Sequence, residues 1–369
     1  MGNMKRVLIV NPFGLGDCLF LSPVFRALKE QARVERITLL VGSRTSELFE
    51  NHPFVDEVIA IDRDWLRSQS QWGMLRFLAG MIGKLGKEKF DTLIDVSMSR
   101  EYAFFAKFFL GIPKRVGFDY HSRGIFLTDR LPLSEGYRDK HVIEYYRDLL
   151  KPLGFEASTR EPEIFLSQTE MDHVQSLLSE AGIHAGEPFT VLVPGGGESW
   201  GKDARFKRWP ATYFGELLTR LKKELPSEKI VILGSGRESE LSKGLAGDLS
   251  AFQVVNWLGM RTLRESLAVL SQAALVFTND GGLCHAARAF HRPLVAVFGP
   301  VDPLVYGPYP ESENALVVRR TDLACQPCYR SFRYNSSCST IECLNDLLPE
   351  KVAGMIQERK FVTCSKNSL

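Results

Sequence analysis

The chain has 369 residues with 24% charged residues and a formal net charge of +2, so its composition gives no signal for nucleic-acid binding. Its length favours two domains over one, and its 44% hydrophobic content supports sizeable cores. The N-terminus runs into an apolar strand rather than a signal peptide, and no apolar run is long enough to span a bilayer, which predicts a cytoplasmic protein.

The first predicted element is a strand at residues 6–10, followed by a Gly-Leu-Gly-Asp turn and a helix at residues 18–31. The turn is weak evidence for a dinucleotide site because the third glycine of that fingerprint is absent. Asp17, the last residue of the turn, has two interpretations. It is placed like a helix cap, but it also lies at the carboxyl edge of a predicted sheet, where α/β folds bind ligands. There it can accept a proton from a hydroxyl group, and both roles stay open.

The alternation of strands and helices continues through this half. Strands are predicted at residues 36–41, 58–61, 92–96, 115–118 and 125–128, and helices at 45–51, 72–85, 102–110 and 141–150. The helix at 102–110 carries a stripe of four phenylalanines beside Lys107. Such a stripe usually packs against a sheet, and the alternative is a helix face that rests on a membrane surface.

A second βα series follows the aperiodic stretch 154–162. We therefore place domains at residues 1–160 and 161–345, with a closing helix and tail at 346–369. Strands are predicted at 189–193, 229–233, 253–256, 273–277 and 293–298, and helices at 169–181, from 210, at 262–273, 283–290 and 349–359. Three of these strands end in glycine-rich turns. Bare N–H groups and helix amino ends then collect at one edge of the sheet, which suits an anion.

Each of the three turns leaves alternatives open. The turn at 195–197 precedes Lys202, Arg205, Lys207 and Arg208, which suits a diphosphate, whereas the alternative is a flexible surface loop. The turn at 234–238 ends in Glu238, whose carboxylate either holds ribose hydroxyls or lies exposed at the surface. In the third turn, Asp280-Gly281-Gly282, the glycines allow close backbone approach, and Asp280 either caps the next helix or orients a nearby donor.

Four cysteines cluster near the end of the chain, at Cys325, Cys328, Cys338 and Cys343. In a cytosolic protein such a cluster suggests zinc before disulfides. The nine-residue gap in its middle matches no common zinc finger, so a structural zinc stays open and is not the favoured interpretation. The remaining cysteines, Cys18, Cys284 and Cys364, are interpreted as unpaired thiols.

Several stretches together resemble glycosyltransferase family 9, which contains the ADP-heptose:lipopolysaccharide heptosyltransferases. They occur in family order and span nearly the whole chain. The matching stretches are residues 7–28, Lys207-Arg208-Trp209-Pro210, residues 279–285, residues 298–303 and the cysteine-bearing tail.

The resemblance implies the GT-B architecture, with two Rossmann-like parallel-sheet domains facing each other across a cleft. The N-terminal domain then takes the acceptor and the C-terminal domain the nucleotide-sugar donor. The implied reaction is an inverting, metal-independent transfer from ADP-heptose to a lipid-linked glycan acceptor, with peripheral contact at the cytoplasmic face of the inner membrane as a further option.

The resemblance also implies roles for particular residues. Asp17 matches the proposed catalytic base, and Lys207 matches the lysine that neutralises the leaving diphosphate. The other matching positions are Gly14 and Gly16 in the turn near the acceptor, Asp280, Gly281, Gly282 and His285 around the donor phosphates, and Glu238 and Met260 near the ribose and base. The glycine loop after the strand at 189–193 adds Gly195 to the predicted donor site.

Three alternatives to heptosyl transfer from ADP-heptose remain. They are a family 9 transferase for another nucleotide sugar or acceptor, a GT-B-like sugar-nucleotide epimerase, and a non-catalytic module that binds a nucleotide sugar. An epimerase would need no acceptor and no base at Asp17, so the Asp17 turn favours a transferase.

Overall fold

A computed structural model describes residues 4–245 and 249–361, except the side chains of residues 198–200, 202 and 242. Cys364, the end of the tail and the side chain of Lys202 lie outside this description. The chain divides into two compact units, Met1–Phe165 and Leu166–Leu369. No helix of the described part is long and apolar enough to cross a membrane.

The first unit is built on a six-stranded parallel sheet with the order β3-β2-β1-β4-β5-β6. The strands are β1 (Arg6–Asn11), β2 (Arg36–Gly42), β3 (Glu57–Ile61), β4 (Thr92–Asp95), β5 (Lys114–Asp119) and β6 (Asp129–Pro132). All four residues of β4 are buried, as are most of β1 and β2, because helices cover both faces of a parallel sheet. The chain order reverses between β1 and β4, and the carboxyl ends of these two strands therefore bound a crevice.

Six α-helices lie in the described part of this unit. They are α1 (Leu15–Leu19), α2 (Ser22–Glu30), α3 (Arg63–Ser68), α4 (Gln71–Gly86), α5 (Arg100–Phe108) and α6 (Val142–Asp148). The single helix predicted at 18–31 is divided into α1 and α2. Pro23 has no N–H to continue the ladder, and the Ser22 hydroxyl donates instead to the Leu19 carbonyl at 2.8 Å. The helix predicted at 45–51 is a 3-10 helix at Ser43–Phe49.

The strand predicted at 125–128 was wrong, because these residues form a turn and β6 begins only at Asp129. The Asp119 carboxylate accepts a hydrogen bond from the Gly124 N–H at 2.8 Å, and the Leu127 N–H donates to the Gly124 carbonyl at 2.9 Å. The turn inserts Leu127 into the core. The apolar run thus reflects burial of a turn rather than strand pairing.

The second unit repeats the architecture, with a six-stranded parallel sheet in the order β12-β11-β10-β7-β8-β9. The strands are β7 (Thr190–Val193), β8 (Lys229–Ile232), β9 (Gln253–Asn256), β10 (Leu275–Asn279), β11 (Leu294–Val297) and β12 (Ala315–Val318). The sequence interpretation did not include β12, an edge strand with alternate residues buried. The two parallel sheets confirm the predicted α/β class. Here the order reverses between β7 and β10, which places their carboxyl-end turns side by side.

Helices again cover the sheet of the second unit. They are α7 (Gln168–Glu180), α8 (Ala211–Arg220), α9 (Leu241–Leu245), α10 (Leu263–Leu270), α11 (Gly282–Ala289), α12 (Pro303–Tyr306), α13 (Glu342–Asn345) and α14 (Pro349–Glu358). The closing helix α14 packs on α8 and β12, so the end of the described chain belongs to the core of this unit. Its predicted range, 349–359, is confirmed to within one residue.

Candidate functional site

Asn279, at the end of β10, joins the glycine turns of the second unit. Its side-chain amide donates to the carbonyls of Pro194 and Gly195 at 2.7 and 3.3 Å, and its Oδ1 accepts from the Trp209 N–H at 3.1 Å. Asn279 is fully buried, so these bonds form away from water. One side chain therefore holds together the ends of β7 and β10 and the loop before α8.

Lys207 and Asp280 form an ion pair at this junction. The Lys207 Nζ lies 2.8 Å from Asp280 Oδ2, and only 8% of Lys207 and 2% of Asp280 is exposed. Neither charge tolerates such burial without a partner, because desolvation costs several kcal/mol per ion. The structure thus brings two predicted site residues together, with the Asp280 carboxylate against the Lys207 ammonium. The interpretation of Asp280 as the helix cap was wrong, because the N-cap of α11 is Gly281.

His285 lies one turn into α11, close to this ion pair. Burial and the nearby positive charge of Lys207 lower the pKa of His285 to about 3. The imidazole is therefore neutral at physiological pH, and the charge of the site comes from Lys207, Asp280 and the amino end of α11.

Gly281 and Gly282 form the turn that leads into α11. Gly281 is the N-cap residue and has an extended backbone, and no side chain caps the helix. A β-carbon at Gly281 would lie 3.5 Å from the Gly196 carbonyl oxygen, which shows how closely the two turns approach. N–H groups at this helix end are available to an anion.

Glu238 is buried, so the interpretation of an exposed surface carboxylate was wrong. Its Oε2 accepts from the Ser235 N–H and hydroxyl, both at 3.0 Å, and its Oε1 accepts from the Gly197 N–H at 3.1 Å. A β-carbon at Gly195 would lie only 2.1 Å from Glu238 Oε1. Glycine at 195 and the Glu238 carboxylate thus fit together and connect the turn after β7 with the turn after β8.

Met260 differs from the other predicted donor residues because it is exposed, with 63% of its surface accessible. It follows β9 in a turn closed by its N–H, which donates to the Trp257 carbonyl at 3.1 Å. A β-carbon at the neighbouring Gly259 would lie 2.6 Å from the Gly236 α-carbon. The Met260 turn therefore contacts the Glu238 turn but stays outside the buried polar cluster.

In the first unit, Asp17 lies at the carboxyl end of β1 within the first turn of α1. The N-cap of α1 is Gly14, so the interpretation of Asp17 as the cap residue was wrong. Gly16 lies between these residues, and the Tyr146 hydroxyl donates to Asp17 Oδ1 at 3.4 Å. Asp17 is half-buried, and the tyrosine restricts its orientation at the crevice edge of the sheet.

A pocket opens at the same edge, beside the carboxyl ends of β1 and β4. It is lined by Pro12, Phe13, Arg63, Ser97, Ser99, Glu101 and Tyr102. Asp95, the last residue of β4, accepts a hydrogen bond from the Ser97 N–H at 2.8 Å, and burial raises the pKa of Asp95 to about 6. The sequence interpretation missed Asp95. The sequence signal that could have identified Asp95 is an acidic residue at the end of a buried strand, β4, which pairs with β1, the strand before Asp17.

The four clustered cysteines line one small pocket in the second unit. Burial and the neighbouring thiols raise the pKa of Cys343 to about 12, and they also raise that of Cys328. Over the described ranges, no group of histidine, cysteine or acidic side chains has a metal-binding arrangement, so the structure does not support a structural zinc. Among the other thiols, Cys18 and Cys284 are buried and free.

The cysteine segment also carries Tyr334, which covers the loop before Lys207. The Tyr334 ring stacks on Phe206 with centroids 5.0 Å apart. Burial and the negative charge of Asp280 raise the pKa of Tyr334. The segment thus supports the ion pair from outside. This role was not predicted because no sequence pattern links Tyr334 to Phe206.

The family model and the sequence comparison both match heptosyltransferases. The family model described as glycosyltransferase family 9 (heptosyltransferase) matches residues 79–336. The chain is 26% identical over 333 residues to lipopolysaccharide heptosyltransferase 2 of Salmonella typhimurium, covering 85% of this chain and 88% of that protein.

Solved structures are similar over almost the whole chain. The glycosyl transferase family 9 protein of Veillonella parvula has a TM-score of 0.77 at 20% identity, covering 97% of this chain and 99% of that one. The ADP-heptose LPS heptosyltransferase II of E. coli has a TM-score of 0.70 at 21% identity, covering 96% and 98%. These similarities confirm the GT-B fold class, with its two Rossmann-like domains.

Proposed function

Since the chain belongs to glycosyltransferase family 9 and is a glycosyltransferase, we propose that it moves a heptose from ADP-heptose to a hydroxyl group of a lipopolysaccharide inner-core acceptor. The printed names of its relatives, a lipopolysaccharide heptosyltransferase and an ADP-heptose heptosyltransferase, support this choice of donor and acceptor. In this proposal the second unit binds the donor and the first unit binds the acceptor.

The observation that carries the proposal is the buried Lys207–Asp280 pair among three glycine turns. An ammonium group has three N–H donors, and the pair orients those not directed at Asp280. We propose that they meet the diphosphate, together with the N–H groups at the start of α11. Negative charge grows on the diphosphate as the glycosidic bond breaks, and positioned donors stabilise that charge most in the transition state.

The proposed base is Asp17. Deprotonation of the acceptor hydroxyl on the face opposite the departing diphosphate gives inversion at the anomeric carbon. The hydrogen bond from Tyr146 supports the role because it gives one oxygen of the carboxylate a donor at the edge of the sheet. Glu238 and the Met260 turn are proposed to lie beside the ribose and base of the donor.

The transfer is proposed to need no metal ion, since Lys207 and the helix end supply positive charge where the diphosphate departs. The same reasoning covers a family 9 transferase for another nucleotide sugar, so the donor must be tested directly. The proposed place of action is the cytoplasm, with the acceptor held in the inner membrane and the protein in peripheral contact with it.

Labelled ADP-heptose tests the proposal when it is incubated with the protein, with and without a deacylated inner-core acceptor. Transfer only in the presence of acceptor, unchanged by EDTA and giving a product of inverted anomeric configuration, is the expected result. Isomerised donor without acceptor would identify an epimerase. Binding without any turnover would identify a non-catalytic module.

A further inference from the structure

Helices α3 and α4 expose large apolar side chains on the first unit. The exposed fractions are 78% for Trp72, 56% for Leu75, 38% for Leu78 and 47% for Trp65. We call these four residues the α3–α4 surface. Of the sixteen residues of α4, only Leu85 is buried, and the outer side of a surface helix is normally polar. This outer side is apolar instead.

The charges on α4 itself are of one sign. Helix α4 and the residue after it contain Arg76, Lys84 and Lys87 but no aspartate or glutamate. Two cations of the wider surface have acidic partners, because Arg67 pairs with Asp64 of α3 and Lys84 pairs with Glu57 of β3. Arg76 and Lys87 are exposed, and neither forms an ion pair within the described ranges. The chain as a whole is nearly neutral, so this stretch concentrates positive charge beside exposed tryptophans and leucines.

This combination matches the chemistry of an anionic lipid surface. Tryptophan favours the boundary between headgroups and acyl chains, leucine inserts below it, and nearby arginine and lysine attract anionic headgroups. We propose that the α3–α4 surface docks the protein on an anionic phospholipid bilayer. The absence of acidic residues from α4, which carries three of the four exposed apolar side chains, favours lipid over a protein partner, because a protein interface gains specificity from charges of both signs.

Helix α5 extends the same side of the sheet. Residues of α4 and α5, among them Phe77 and Phe105, pack on one shared core. On the outside of α5, Phe104 is 40% exposed and Phe108 is 55% exposed, and the Lys107 Nζ lies 4.9 Å from the Phe108 ring centroid. The phenylalanine stripe is thus only partly used for packing on the sheet.

The docking elements also line the pocket of the first unit. Arg63 is the first residue of α3, and Glu101 and Tyr102 lie in the first turn of α5. A bilayer bound at α3 and α4 would hold a lipid-linked acceptor near this pocket. This last step rests on the proposed function, whereas the docking itself does not.

Flotation with phospholipid vesicles tests the proposal on the full chain, without donor or acceptor. One set of vesicles contains phosphatidylcholine with phosphatidylglycerol, and the other contains phosphatidylcholine alone. We expect the wild-type protein to float with the anionic vesicles and to dissociate as salt is raised. Binding to neutral vesicles should be much weaker.

Two double variants separate the apolar and ionic contributions. Trp72→Gln with Leu75→Gln should weaken binding to anionic vesicles by about tenfold or more. Arg76→Gln with Lys87→Gln should weaken it by about 25-fold, at about fivefold for each charge removed. Leu304→Gln is the matched control, because Leu304 is 58% exposed but lies in the second unit, and it should bind like wild type.

All variants should keep the wild-type circular dichroism spectrum and melting temperature, since the replaced side chains are exposed. The proposal is overturned if wild-type protein ignores anionic vesicles, or if folded Trp72→Gln/Leu75→Gln protein binds them normally. Loss of self-association in that variant, without vesicle binding by wild type, would make the surface a protein interface and overturn it too. Transfer to a deacylated acceptor should be unchanged in the variant, so failure of docking and failure of the transferase function are distinguishable.

Discussion

At the scale of single residues, the Lys207–Asp280 pair makes the sharpest prediction. Lys207→Ala removes the proposed charge-assisted contact with the donor diphosphate, worth about 1.5–3 kcal/mol, so ADP affinity of the folded variant should fall by about tenfold to a hundredfold. The variant should also have a lower melting temperature, because Asp280 loses its buried cation. Turnover should fall as well, because the contact strengthens as the diphosphate departs. Titration calorimetry and initial rates measure the two effects.

The matched control is Lys222→Ala in the same unit, which removes a more exposed lysine paired with Glu228 at 2.9 Å. Such surface pairs contribute little, so ADP affinity should not change. Unchanged ADP affinity and rate in Lys207→Ala would place the diphosphate elsewhere.

Asp17→Asn tests the proposed base. The amide keeps the shape of the side chain and can still accept a hydrogen bond from Tyr146, so melting temperature and ADP affinity should hardly change. Turnover should drop by about two to four orders of magnitude, because no group at this position can take the proton. The rate constant for transfer, measured at saturating donor, is the decisive quantity. Near-normal transfer would disprove the mechanism.

Asp95 predicts a dependence of stability on pH. Its pKa is raised to about 6 in the folded protein from an ordinary value near 3.8. The folded state therefore binds the proton more tightly than the unfolded state. The contribution of Asp95 to stability is full below about pH 4 and is lost as the pH rises through about 6, by roughly 2–3 kcal/mol.

Asp95→Asn should abolish this part of the dependence. Denaturant unfolding between pH 4 and 7 should show a smaller decline in the variant than in wild type. Asp119→Asn, at the corresponding end of β5, is a suitable control. An identical decline in wild type and Asp95→Asn would show that Asp95 does not titrate in this range.

At the scale of secondary-structure elements, the cysteine segment is predicted to serve the fold. The Cys328 N–H donates to the Pro300 carbonyl at 3.0 Å, and the segment presents Tyr334 to Phe206. Cys328→Ser should lower the melting temperature, at a cost of about 1 kcal/mol, while the catalytic constants stay within a few fold. Cys325→Ser, at an exposed thiol, should cost less. A collapse of turnover in a stably folded Cys328→Ser protein would contradict this prediction.

Elements with a strong local pattern were predictable from the sequence. The buried strands β1, β7 and β10, and the turns after them, follow from short apolar runs that end in glycine or asparagine. The apolar run at 125–128 predicts a strand although it forms a turn, because an apolar turn and an apolar strand have the same composition. The hydrogen bond from the Gly124 N–H to the Asp119 carboxylate stabilises the turn. It forms only because the fold places the Asp119 side chain beside Gly124, which the sequence pattern does not show.

The meeting of the glycine turns at the candidate site was predictable from the sequence, but its detail was not. Parallel strands bring their carboxyl ends to one edge, so glycine turns far apart in the sequence were expected to meet. Burial of Glu238 and its fit against Gly195 depend on tertiary packing, which the sequence pattern does not show. The same holds for Asp95, whose pKa is set by burial.

At the scale of the whole molecule, both units repeat one plan, with the sheet order reversing beside the first strand of each. The turns proposed to bind the donor all belong to the second unit. Hydrogen exchange with saturating ADP should therefore protect amides at 195–197, 234–238 and 279–283. The turn at 14–17 in the first unit should exchange as in the free protein. Protection confined to that turn would reverse the assignment of donor and acceptor units.

The Lys207–Asp280 pair has a consequence for product release. A lysine that already has a carboxylate counter-ion gives up part of its attraction for any further anion. If Lys207 binds the diphosphate as proposed, the spent nucleotide should have a shorter residence time than on an unpaired lysine, and accumulated nucleotide should inhibit the enzyme less. Asp280 would then limit how strongly the product competes with the next donor molecule.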